Sequence, residues 1–60
     1  MKYKEFHRII RRNGWIEVKV RGSHIFYAKE GHPRSVPVPM HTGEIPEPTR
    51  LAISKEMGLK

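Results

Sequence analysis

Between Lys2 and Arg12 the apolar residues Tyr3, Phe6, Ile9 and Ile10 recur at helical spacing, while Lys4, Glu5, Arg8, Arg11 and Arg12 take the other directions. That pattern predicts an amphipathic first helix with His7 among charged neighbours on its surface. Asn13-Gly14 ends it, since both residue types tolerate the left-handed backbone that closes a helix, and Arg8, Arg11 and Arg12 complement the negative end of its dipole. From Trp15 to Val20 the period changes to two. Ile16, Val18 and Val20 then share one face and Trp15, Glu17 and Lys19 the other, which predicts a strand with its β-branched side inward. Arg21-Gly22 supplies a turn, and Ser23 to Ala28 returns as a second strand, with His24 just past the bend. A loop over Lys29 to Pro33 leads into a short third strand, Arg34 to Val38. Pro37 cannot donate to a ladder, which assigns that strand to the sheet edge with the proline turned outward. After a loop from Met40 to Glu47, a second helix is expected to start at Pro48 or Thr49 and to run to Met57, stopped by Gly58. Ala52, Ile53 and Met57 form its expected inward stripe, with Leu51 on the opposite side.

The order is therefore α-β-β-β-α. Packing both helices on one face of a three-stranded antiparallel meander would bury each of these stripes, an α+β fold. The chain has 60 residues, enough for one domain, residues 1–60, and for a core of about a dozen side chains. Marginal stability follows from that size.

Charge narrows the choice of partner. Twelve Lys and Arg against six acidic residues leave a formal net charge of +6, a strong positive field for so small a body. A polyanion or an acidic protein is the natural complement, and phosphate contacts would make nucleic-acid binding fall steeply with salt. A solvated basic surface kept for solubility is the plainer alternative. The absence of cysteine removes disulfides and thiolate metal sites. No continuous apolar stretch suggests a leader or a membrane helix, so no membrane role and a cytoplasmic location are expected.

Candidate chemistry is sparse. There is no Gly-rich phosphate loop, and Gly22-Ser23-His24 lacks the spacing of a nucleophile elbow. Glu5, Glu17, Glu30, Glu44, Glu47 and Glu56 are scattered, which argues against a two-metal nuclease or a paired-carboxylate mechanism. His7, His24, His32 and His41 show no metal-ligand spacing, so no metal or other cofactor is expected. His24 stands apart because it follows a glycine turn at the start of a strand, where the backbone is fixed and the ring edge can face a groove. One imidazole beside a turn is a weak motif, and a surface or structural histidine is the commoner meaning of such a position. In an RNA-cleaving role, a neutral imidazole of reference pKa ~6.5 would take the proton of a ribose 2′-hydroxyl. That oxygen would attack the adjacent phosphorus while Lys19, Arg21 and Arg34 stabilise the phosphate oxygens. Ordinary sheet-edge charge is the competing reading of each of these three cations.

The ordered set of Asn13-Gly14-Trp15, Gly22-Ser23-His24, the pair Phe26-Tyr27, Val36-Pro37-Val38-Pro39 with His41, Gly43-Glu44-Ile45-Pro46, and Met57-Gly58-Leu59 resembles the HicA (YcfA-like) toxin family over nearly the whole chain. The resemblance implies a double-stranded-RNA-binding-like fold and a metal-independent messenger-RNA interferase of a toxin–antitoxin system. It implies that His24 is the catalytic residue; Lys19, Arg21, Gly22, Ser23 and Arg34, by their positions about the hairpin and the start of the third strand, are the candidate RNA contacts. It also implies an antitoxin of the HicB type that covers the His24 region. A non-catalytic RNA-binding module of the same fold is the alternative, reading phosphates and 2′-hydroxyls across a minor groove.

Overall fold

In the computed structural model, which describes residues 1–60, the first helix, α1, spans Tyr3–Arg12. Tyr3, Phe6, His7 and Ile10 are its buried positions, one continuous stripe at three- and four-residue spacing. Its N-terminus has no side-chain cap. The Gly43 carbonyl instead accepts from the Tyr3 amide at 3.1 Å, and Ile45 N–H donates to the Met1 carbonyl at 2.9 Å, so the later loop straps the helix start. At the other end the Asn13 side-chain amide donates to the Ile9 carbonyl at 2.8 Å, and its oxygen accepts from the Lys60 amide at 3.1 Å. Gly14, at φ +92°, makes the left-handed exit.

Strands β1 (Ile16–Arg21), β2 (His24–Ala28) and β3 (Val36–Pro39) form an antiparallel meander in the order β1-β2-β3. The turn between β1 and β2 is Gly22-Ser23, one residue later than expected, and Arg21 belongs to β1. With φ +58° at Gly22 and no positive φ at Ser23, it is the type II′ geometry that matches the strand twist. The third strand also starts later than expected, at Val36, leaving Arg34 in the preceding bend. β3 is an edge, as Pro37 requires, with Val36 and Val38 buried and Pro37 exposed.

The expected facing of the first strand is overturned. Ile16, Val18 and Val20 are 66%, 56% and 59% exposed, whereas Trp15 is buried. Two physical causes combine. Pairing puts Glu17 opposite Tyr27 but Lys19 opposite Phe26, so Val18 is an extra residue, a β-bulge that switches the facing of the strand. Val20, opposite half-buried Ile25, does face the helix side, but no helix extends far enough to cover it.

The second helix, α2, spans Glu47–Met57, with Pro48 in its first turn and Gly58 left-handed at φ +62°. Leu59 N–H closes it on the Ser54 carbonyl at 3.0 Å. Its inward stripe is narrower than expected: Met57 is buried and Ile53 half-buried, but Ala52 is exposed, as is Leu51. Nine buried apolar side chains form one core, with α1, Trp15, Tyr27, Val36, Val38, Ile45 and Met57 contributing, and both helices on the same side of the sheet. The opposite side of the sheet is open.

Candidate functional site

β-sheet partners share a face, so the register defines what the open side carries. His24 pairs with Arg21 on β1 and with Pro39 on β3; Phe26 pairs with Lys19 and with Pro37. The six residues therefore occupy one surface opposite the helices. The Lys19 ammonium lies 5.7 Å from the Phe26 ring centroid, which confirms that these two side chains share it. The bulge at Val18 makes this arrangement. It lets Trp15 and Glu17 face the helix side while Lys19 and Arg21 face the open side.

The pairing of His24 with Pro39 is bracketed by a 2.7 Å bond from the Met40 amide to the Ser23 carbonyl. Pro39 has no amide hydrogen, so the pair is of the narrow, non-hydrogen-bonded kind in which side chains approach closely. His24 is exposed and its ring makes no hydrogen bond and no aromatic contact, while its backbone lies between its strand neighbours Arg21 and Pro39. Gly22 and Ser23 form the turn at its shoulder. Arg34 is elsewhere. It precedes Val36, the partner of Tyr27, and so lies beyond the far end of β2; the structure does not bring it to His24.

The other three histidines have partners. His7, expected at the surface, is 1% exposed. Its Nε2 lies 2.8 Å from the Pro39 carbonyl and its Nδ1 2.6 Å from the Tyr27 hydroxyl. A carbonyl can only accept, so Nε2 carries the proton and Nδ1 accepts from Tyr27. Burial holds the His7 imidazole below its ordinary pKa; the Pro39 carbonyl opposes this and the Arg11 charge adds to it. Burial likewise raises the Tyr27 phenol, against the nearby Arg11. The His7 ring thus ties α1 to the β3 residue that flanks His24. His32 donates from Nδ1 to the Arg34 carbonyl at 2.7 Å and meets Trp15 edge-on at 5.0 Å. His41 packs edge-on against Tyr3 at 5.3 Å.

No three of the His and Glu side chains come together as a metal site. The largest hollow, about 480 Å³, is lined by Met1, Lys2, Lys4, Glu5, Arg8 and Glu44 at the start of α1, away from His24. It is an open, charged depression with one apolar residue, unlike a small-molecule site. The surface remains strongly basic: of twelve Lys and Arg, only Arg50 is paired with a carboxylate, that of Glu47. No helix is long and apolar enough to cross a membrane.

Two features escape the sequence-level candidates. His7 stands four residues after Tyr3 and three before Ile10, which is the stripe spacing, so its burial was marked by position although its neighbours are charged. Phe26 stands two residues after His24, the spacing of a shared strand face.

An α-β-β-β-α protein with one covered and one open sheet face, the open one basic and histidine-bearing, is the class that these observations define. The family model described as HicA toxin of bacterial toxin–antitoxin systems matches residues 3–59, and the chain belongs to that family. No match was found among curated proteins.

Proposed function

We propose that this toxin-family chain is an endoribonuclease that cuts messenger RNA in the cytoplasm without a metal, with His24 as general base. The supporting observation is that His24 stands exposed on the open basic face with Arg21 as its strand partner. Its imidazole takes the 2′-hydroxyl proton, the O2′–P bond forms, and the P–O5′ bond breaks as the leaving 5′-oxygen takes a proton from water. A 2′,3′-cyclic phosphate and a 5′-hydroxyl result. Arg21 and Lys19 neutralise the phosphate oxygens, and Gly22 and Ser23 contact the backbone at the turn. Arg34 serves only a phosphate farther along the strand. The family's toxin–antitoxin role implies an antitoxin. An acidic one of the HicB type, covering the His24 face, complements its unpaired cations.

The test is incubation of RNA with the purified chain in excess EDTA, beside His24→Ala. Cleavage that persists in chelator, yields cyclic-phosphate ends and disappears in the variant is the expected result. Equal cleavage by both chains removes His24 from the mechanism. One observation favours a second reading, an RNA-binding module without catalysis: nothing is hydrogen-bonded to His24 to orient its ring, as general bases often require. Binding without cleavage by either chain would establish that reading instead.

A further inference from the structure

Phe26 is an aromatic ring on the side of the sheet that the helices leave open, while the core is filled from the other side by Tyr27, Val36 and Val38. It is only half-buried. Its neighbour on β3 is Pro37, a short residue that borders the ring without a long side chain to fold over it. Its neighbour on β1 is Lys19, whose ammonium lies 5.7 Å from the ring centroid. A flat apolar ring, bordered by a cation on a basic face, is the arrangement that accepts a nucleobase.

We propose that Phe26 is a stacking platform for one unpaired RNA base, next to the phosphate engaged at His24. The position of that phosphate rests on the cleavage reading above; the stacking itself does not. Residues two apart on one strand face are roughly 6–7 Å apart. That is about twice the ~3.4 Å per-nucleotide rise of a stacked strand, as suits an RNA whose bases are splayed apart. A base seated on Phe26 therefore places its neighbouring phosphate over His24 and Arg21. In the free chain the Lys19 ammonium occupies this ring. An exposed cation–π contact is weaker than base stacking, so the incoming base displaces the ammonium, which then meets the phosphate. A base inside a duplex cannot reach the ring, so the site selects single-stranded segments. Every base has a π-face, and the platform tolerates any of them.

Equilibrium binding tests this on the His24→Ala chain, which keeps the RNA intact. A labelled single-stranded RNA is titrated by fluorescence anisotropy with and without Phe26→Leu, Phe26→Trp, and a matched oligonucleotide of abasic sites. Phe26→Leu is expected to lose roughly tenfold or more in affinity, with an unchanged slope of affinity against salt and an unchanged thermal midpoint. Phe26→Trp retains binding, and the abasic strand is indifferent to the residue at 26. Leu at 26 binding as tightly as Phe overturns the platform, as does an abasic strand that loses affinity equally on the substitution. Should Phe26→Leu unfold, Phe26→Trp and the abasic strand still decide: an abasic strand binding Phe26 as tightly as the parent RNA overturns it. An RNA uncut by the unmodified chain but bound through Phe26 refutes the cleavage reading alone. Cleavage that needs His24, with binding indifferent to Phe26, refutes the platform alone.

Discussion

His7 is the residue whose setting departs most from its neighbours in sequence. Its ring is enclosed by the core and fills both nitrogens with partners, Tyr27 and Pro39. His7→Ala would leave a void, an unpartnered phenol and an unpartnered carbonyl, a loss of about 2–4 kcal/mol by urea denaturation. Because Pro39 flanks His24, cleavage should fall as well, even at temperatures where the variant stays folded. The lowered pKa gives a pH signature with a definite sign. The unfolded chain protonates His7 near the reference value of ~6.5, before the folded chain does. His7's contribution is therefore intact above that pH and declines as pH falls towards the lower folded-state pKa. The thermal midpoint should drop on acidification in the parent chain, and the part of that drop due to His7 should vanish in His7→Gln. The helical stripe of α1 was legible in Tyr3, Phe6 and Ile10, and spacing alone puts His7 on it; what satisfies the buried ring was not legible, because its partners come from strands 20 and 32 residues away.

Elements were more legible than their facing. The helix stops at Asn13-Gly14 and Gly58, the glycine turn before His24 and the edge position of Pro37 follow from local backbone chemistry, and the structure has all four. The facing of β1 depends on one extra residue, Val18, which no local propensity marks: in isolation Ile16, Val18 and Val20 read as an inward stripe. Deleting Val18 tests whether it is the extra residue. The remaining pairs, Ile16 with Ala28, Glu17 with Tyr27, Lys19 with Phe26, Val20 with Ile25 and Arg21 with His24, then form an uninterrupted ladder with every facing kept. Trp15 should stay in the core, the emission of the sole tryptophan should be unchanged, and RNA binding should persist. Red-shifted emission or lost RNA binding would show that Val18 is not the residue that the ladder leaves out. At the turn, a Cβ on Gly22 would meet no atom within 4 Å, so the cost of Gly22→Ala is its left-handed backbone alone. About 1–2 kcal/mol should be lost in urea denaturation, less than a buried-residue change would cost.

Across the whole molecule, charge and thinness act together. Only ten of 60 residues are buried, and one strand is exposed along its entire length, so little internal packing opposes the repulsion of eleven unpaired cations. A polyanion relieves that repulsion, and RNA at the open face should raise the thermal midpoint with the logarithm of its concentration once that exceeds the dissociation constant. Which cations make that contact is a question of position. Arg21 is the strand partner of His24, whereas Arg34 precedes β3 at the opposite end of the sheet. Each phosphate contact contributes about 0.7 to the slope of log affinity against log salt for a single strand. Arg21→Gln should lower that slope by about this amount and slow cleavage as well, because the same charge faces the reacting phosphate. Arg34→Gln should leave cleavage of a short oligonucleotide unchanged and alter the slope only for RNA long enough to reach past Ala28. If Arg34→Gln slowed a short substrate as much as Arg21→Gln did, the RNA would have to run along the sheet in a different direction. In that case the His24 end of the open face would not be where the strand is cut.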